Sequence, residues 1–172
     1  KLEAGTDQTG DWDVVKGATV TKSDFGYLVD AKGEGFALKK LDTPIQELAT
    51  FRLKYRSATK SGTKNACFCF GAVPENDRLH KAGSMIGQDK HGAFDGTWAN
   101  VGLGANKAAN YDRDSTFEVE VKIDLDHGKL ILTIGDTQIQ HQIPSNLESV
   151  NYVGIYAKGT KSEFTMPEQS SN

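Results

Sequence analysis

Residues 88–100 hold Gln88, His91, Asp95, Trp98 and Asn100, and Tyr111 and Arg113 follow in the same irregular stretch. These residue types suit a sugar. A sugar presents apolar C–H faces and dense hydroxyls, so an aromatic plate flanked by planar polar groups holds it. Trp98 offers the plate, since its ring is apolar in body and polar at one edge. Gln88, His91, Asp95 and Asn100 supply donors and acceptors for hydroxyls, and Tyr111 and Arg113 wall the site. The competing expectation is packing, with Trp98 and Phe94 plugging one end of the fold.

Other chemistry is harder to assemble. Glycoside hydrolysis needs two carboxyls about 5–5.5 Å apart when retaining and about 6.5–9.5 Å when inverting. The nearest pattern is Glu118-Val119-Glu120, with Lys122 and Asp124 on the same side. A charged, outward strand face paired with Arg52, Lys54 and Arg56 is the simpler expectation for it. His80, His91, His127 and His141 show no metal-ligand spacing on a shared face, which argues against zinc. G-x-S-x-G is absent, and Gly102-Leu103-Gly104 lacks the strand–turn–helix setting of a phosphate loop. Cys67 and Cys69 are the only cysteines. Two residues apart on a strand, they point to the same face about 6.5–7 Å from each other, at the outer limit for a disulfide. A buried pair of free thiols is the expectation.

Strands must position all of this, because period-2 alternation dominates and no segment gives a helical stripe. Residues 18–23 and 25–31 form a hairpin about Asp24, and residues 35–41 a further short strand closed by Asp42-Thr43-Pro44. Residues 48–57 place Phe51, Leu53 and Tyr55 on one face and Arg52, Lys54 and Arg56 on the other. Residues 65–73 are apolar on both faces, as a covered central strand should be. Residues 115–125 alternate strictly, with Phe117, Val119, Val121, Ile123 and Leu125 inward. Residues 129–134 and 138–143 follow after turns at Asp126-His127-Gly128 and Gly135-Asp136. Residues 45–48 and 144–149 have room for one helical turn each. Residues 87–113 fit no strand pattern, and loops of that length are usually functional or disordered. The spacing is that of a two-sheet sandwich of about a dozen strands.

Three segments carry a family resemblance. Asp11-Trp12-Asp13-Val14-Val15-Lys16-Gly17 resembles an opening W-x-V-x-x-G strand. Asn65-Ala66-Cys67-Phe68-Cys69-Phe70-Gly71 resembles an N-A-G-ϕ-x-F central strand, departing from it at Cys67, where a small Gly is common. Residues 150–166 resemble a closing hairpin, in which a V-G-ϕ-ϕ-A-x-G strand turns at Lys158-Gly159 into a short strand with Phe164 inward. Together they resemble the laminin-G/concanavalin-A-like jelly rolls, including the 3-keto-disaccharide-hydrolase-like and carbohydrate-binding members. The resemblance implies an all-β, two-sheet antiparallel jelly-roll sandwich, a fold used mostly to hold carbohydrate and sometimes to cut it. It places no family catalytic residue on this chain. The E-x-D-x-E strand of jelly-roll glucanases is incomplete here, with Lys122 in its third position. Sugar binders of this fold often hold calcium on rim loops through six to eight oxygens, and Asn110, Asp112 and Asp114 are the candidate ligands.

The 172 residues fit one domain with a single substantial core, spanning about residues 10–166 with 167–172 as a tail or linker. A net charge of −3 without a basic stripe argues against nucleic acid, and no apolar run approaches a membrane span. The expected function is a non-catalytic carbohydrate-binding domain, its partner a glycan or polysaccharide, with structural calcium as the candidate cofactor. The expected setting is one module of a larger secreted protein with neighbouring modules, extracellular or periplasmic. The rival readings are a glycoside-acting enzyme of the 3-keto-disaccharide-hydrolase-like type and a protein–protein adhesion module.

Overall fold

A computed structural model describes residues 1–57, 65–84, 90–91, 93–95, 109–110, 116–134, 137–143 and 146–170. Its strands are β1 (Thr6–Asp7), β2 (Val14–Lys16), β3 (Thr19–Lys22), β4 (Tyr27–Ile45), β5 (Leu48–Ser57), β6 (Asn65–Gly71), β7 (His80–Ser84), β8 (Lys90–His91) and β9 (Ala93–Asp95). There follow β10 (Ala109–Asn110), β11 (Phe117–Asp124), β12 (Lys129–Ile134), β13 (Thr137–Gln142), β14 (Val150–Phe164) and β15 (Glu168–Gln169). A single 3-10 turn, Asn76–Arg78, interrupts them among the described residues.

Two long strands organise the sandwich. β4 and β14 pair antiparallel from Ile45 opposite Val150 to Tyr27 opposite Phe164, and each runs through both layers. In one layer the order is β1-β3-β4-β14-β5-β11-β12-β13. In the other, β2 flanks the later part of β4, while β6, β7 and β9 extend outward from the earlier part of β14. The transfer between layers falls at Gly159, which has φ +62°. There the register steps from Lys158 opposite Glu34 to Thr160 opposite Ala31, so one extra residue sits on β4. Such a bulge bends the pair, and the left-handed conformation comes at little steric cost to glycine alone.

This corrects two expectations. Lys158-Gly159 is not a hairpin turn, because β14 continues through it as one strand, and residues 35–41 belong to the single long β4. Residues 45–48 form no helical turn either; β4 ends at Ile45 and β5 begins at Leu48. The expected tail is also paired. Glu168 and Gln169 lie opposite Arg52 and Phe51, and Ser170 N–H donates to Thr50 O at 2.8 Å. β15 continues the line of β14 along β5: β14 pairs with residues 55–57, Thr165 N–H donates to Lys54 O at 2.9 Å, and β15 takes the next positions.

In the core between the layers Trp12, Phe51, Leu53, Val119, Val121, Ile123, Val153, Ile155 and Phe164 are all buried, and Leu125 packs against them part-buried. Each such side chain contributes about 1.5–3 kcal/mol of transfer free energy. Phe51, Phe68 and Phe70 pack ring to ring at 5.6 and 6.0 Å, and His80 continues the row 5.0 Å from Phe70. The layer of β2, β4, β14 and β6 is apolar on its outward face too, where Phe36, Leu38, Cys67, Cys69, Leu79 and Tyr156 form a second buried cluster. This double coverage is why β6 carries no alternation. Both cysteines are free and buried, and burial pushes both thiols well above their ordinary range.

Two measurements check this packing. Val121→Ala should cost roughly 1–3 kcal/mol, whereas Gly154→Ala should cost at least as much for the opposite reason, since a Cβ there would overlap the Ala37 carbonyl. Both are read as falls in the denaturant midpoint, and an unchanged value for either would misplace that face. A thiol reagent should leave Cys67 and Cys69 unmodified under native conditions and label both after unfolding.

Candidate functional site

The outward face of the β2-β4-β14-β6 layer brings its residues together by register. Lys16, Phe36, Tyr156 and Cys67 lie in one cross-strand row, and Glu34 opposite Lys158 begins the next. Glu34 is two residues from Phe36 and therefore shares its face. The 3-10 turn then lays Asn76 over the same spot. Tyr156 OH donates to Glu34 Oε1 at 2.9 Å, and Asn76 Nδ2 donates to Oε2, also at 2.9 Å. Lys81, only 9% exposed, closes the back of the group. Its Nζ donates to Asn76 O at 2.7 Å and lies 5.0 Å from the Tyr156 ring centroid.

Burial pushes the Glu34 carboxyl up, but hydrogen bonds from Tyr156 and Asn76, with the Lys81 and Lys158 charges, more than offset it and hold the carboxyl below its ordinary 4.5. Burial and the adjacent Glu34 push the Tyr156 phenol the other way, well above its ordinary value. The carboxylate is thus ionised near neutral pH, with an acceptor lone pair free on each oxygen. It opens into a cleft of about 580 Å³, lined also by Lys1, Leu2, Lys16, Phe36, Glu75 and Asp77. Lys16 is steadied at the rim by donating to Pro74 O at 3.3 Å.

Two other places gather polar groups. A groove of about 1110 Å³ opens at one end of the sandwich beside Asp13, Lys39, Leu48 and Met166. At the corner near β3, Asp11 accepts from Tyr27 OH at 2.6 Å and from Lys22 Nζ at 2.8 Å. Lys22, then Tyr27, draw the Asp11 carboxyl below its usual range. That corner pairs its charges internally.

Of the residues expected to hold sugar, Gln88, Trp98, Asn100, Tyr111 and Arg113 lie outside the described residues, as do Asp112 and Asp114. His91 is in β8, opposite Ala109 of β10, and Asn110 is opposite Lys90. Asp95 ends β9 opposite Ala82 of β7. β9 therefore extends the edge of the layer that carries Glu34, whereas β8 and β10 pair with each other in a separate two-stranded sheet. Among the described residues no group of three metal-ligating side chains exists. Tyr156 is buried and spends its hydroxyl on Glu34. The Glu118–Glu120 row is the charged face it was expected to be: Glu120 pairs with Arg52 at 2.8 Å, and Glu118 is opposite Lys54.

No protein-family model and no curated protein matches the chain. Among solved structures it is similar to the carbohydrate binding module CBM66 from Bacillus subtilis, at TM-score 0.70 and 11% identity, covering 96% of this chain and 99% of that one. The fold is a concanavalin-A/laminin-G-like jelly roll. The jelly roll also matches lectin I-B4 from Griffonia simplicifolia in its metal-free form, at TM-score 0.59 and 11% identity over 96% of this chain and 95% of that one. A protein of unknown function with a galectin-like fold from Bacillus subtilis matches at TM-score 0.54 and 10% identity, covering 92% and 88% of the two chains. At these identities the likeness is one of fold.

Tyr156→Phe tests the pinning of Glu34. Loss of the O–H donor should raise the Glu34 carboxyl toward 4.5, read by carboxyl-carbon NMR titration. The stability linked to Glu34 is complete above its unfolded value and lost as pH falls through the lower folded value. The melting-midpoint advantage of the native chain over Glu34→Gln should accordingly shrink between about pH 5 and pH 3. An advantage constant across that window would show that Glu34 is not held as described.

Proposed function

We propose that this chain is a non-catalytic carbohydrate-binding domain whose partner is a glycan or polysaccharide. The observation that carries the reading is Glu34: an ionised carboxylate, fixed by two neutral donors, at the mouth of a cleft on the outward face of a jelly-roll layer. Charge-assisted acceptors of this kind make the stronger hydrogen bonds to hydroxyls. Support also comes from the likeness to a protein described as a carbohydrate binding module, over nearly the whole of both chains. Gln88, His91, Asp95, Trp98, Asn100, Tyr111 and Arg113 are proposed to supply the stacking plate and further hydroxyl contacts. Asn110, Asp112 and Asp114 are proposed as ligands for a structural calcium ion. The wider proposal is a single domain serving as one module of a larger secreted protein, outside the cell or in the periplasm.

Turnover is the weaker reading. A general acid for glycoside cleavage needs a carboxyl raised toward neutrality, whereas Glu34 is held low, and Glu120 is committed to Arg52. A glycan array at defined calcium, followed by product analysis on every glycoside that binds, tests this directly. Binding without turnover is the expected result; released sugar would favour the enzyme, and binding to protein ligands that no sugar competes would favour adhesion. Trp98→Ala should abolish most binding with little change in melting midpoint, while His91→Ala and Asn100→Ala should each cost about 1–3 kcal/mol of binding. Normal binding by Trp98→Ala would remove that residue from the site, and unfolding would make it the core plug.

A further inference from the structure

We propose that the edge of β13 pairs antiparallel with the same edge of a second copy of this chain, joining two sandwiches into a two-fold dimer. The inference goes beyond the carbohydrate-binding reading and does not rest on it. β13 is the last strand of its layer, and among the described residues only β12 pairs with it. β9 of the other layer comes near it but pairs with β7. An edge strand of this kind is a template for another chain, which charge, proline or a bulge normally deters. On the outward face of this layer the interior strands carry the charge, with Arg52 on β5, Glu120 and Lys122 on β11 and Lys129 on β12. The edge carries none. β13 reads Thr137-Gln138-Ile139-Gln140-His141-Gln142, without Lys, Arg, Asp, Glu or proline, and keeps register with β12 at every position.

The main chain sets the register of the pair. In an antiparallel ladder, hydrogen-bonded pairs alternate with pairs whose N–H and C=O groups turn away from each other. Ile143 N–H donates to Gly128 O at 2.8 Å, and Thr137, Ile139 and His141 are in step with it, so these are the residues bonded to β12. The N–H and C=O groups of Gln138, Gln140 and Gln142 therefore point out of the sheet edge. A two-fold axis beside Gln140 sets Gln140 opposite its own copy and Gln138 opposite the second copy's Gln142. All of these groups then find a partner, as a self-complementary interface requires. The three glutamine side chains share one face and are exposed. A primary amide both donates and accepts, so facing amides can bond across the axis, and no like charges meet there. A contact built on one pair of short strands falls below about 1,200 Å², in the weak and transient class. Monomer and dimer should therefore exchange with concentration.

The test is sedimentation of the intact chain from low micromolar to near-millimolar concentration, with no sugar present. The weight-average mass should rise toward twice that of the monomer. Gln140→Lys sets two ammonium groups face to face at the axis and should weaken association at least tenfold, as should Gln140→Glu. Mixing those two variants should restore the dimer, because only at the axis does a residue meet its own position. Leu48→Lys, at the one exposed large hydrophobic residue among the described ones, should leave the native dimer unchanged. Amide hydrogen exchange on the native chain supplies a readout that needs no variant. The Gln138, Gln140 and Gln142 amides should slow as concentration rises, while those of Thr137, Ile139 and His141, already bonded to β12, should not. A mass that stays monomeric throughout would overturn the proposal. So would a dimer that survives Gln140→Lys but is lost in Leu48→Lys, or one that leaves the three glutamine amides unprotected.

Discussion

The sandwich depends on the main-chain pairing of β4 with β14. Both strands are long enough to serve two layers, and the extra residue opposite Gly159 lets them change layer without breaking their ladder. On one side of the bend they carry β3, β5, β11, β12 and β13; on the other they carry β2, β6, β7 and β9. The two layers are therefore not separate sheets pressed together by their side chains alone. Their relative position is set by continuous backbone, and the aromatic row of Phe51, Phe68, Phe70 and His80 fills the space this leaves.

The same bend explains the cleft. Glu34 lies at the first register position after β4 crosses between layers, opposite Lys158, which precedes Gly159. A carboxylate in the middle of the outward apolar cluster would meet Phe36, Leu38 and Cys67 with nothing to pair it. At the bend the neighbouring strands part, a cleft opens, and Tyr156 and Asn76 can both reach it. The site thus draws its apolar floor from the second cluster and its polar wall from the turn laid over it.

Much of the fold was legible in the sequence because alternation reports burial directly. β5, β11 and β12 read true, with Phe51, Leu53, Val121 and Ile123 all inward, and the two-faced apolar run of β6 read true as a covered strand. What failed was continuity. Lys32-Gly33-Glu34-Gly35 and Lys158-Gly159 look like turns, since glycine beside charge is turn chemistry, yet here the glycines sit within a shared bulge. The short β15 was missed because Pro167 and the polar residues after it give no strand signal; they pair because the chain runs on along β5 from Phe164. The Glu34 group was beyond reach for another reason. Its partners are 42 and 122 residues away in the chain, and no local pattern marks them.

The position of β14 in the chain has a consequence for how the protein is made. The strands it joins, β4, β5 and β6, all precede it in the sequence, and β4, its longest partner, ends more than a hundred residues earlier at Ile45. While residues before Val150 leave the ribosome, β4, β5 and β6 have apolar faces and open edges but lack the strand that connects the layers. Such surfaces invite association with other chains. Closure waits on a long-range event, and topologies of this kind fold slowly. A nascent chain stalled short of β14 is thus a natural client for a holdase, and one released past it can complete both layers at once.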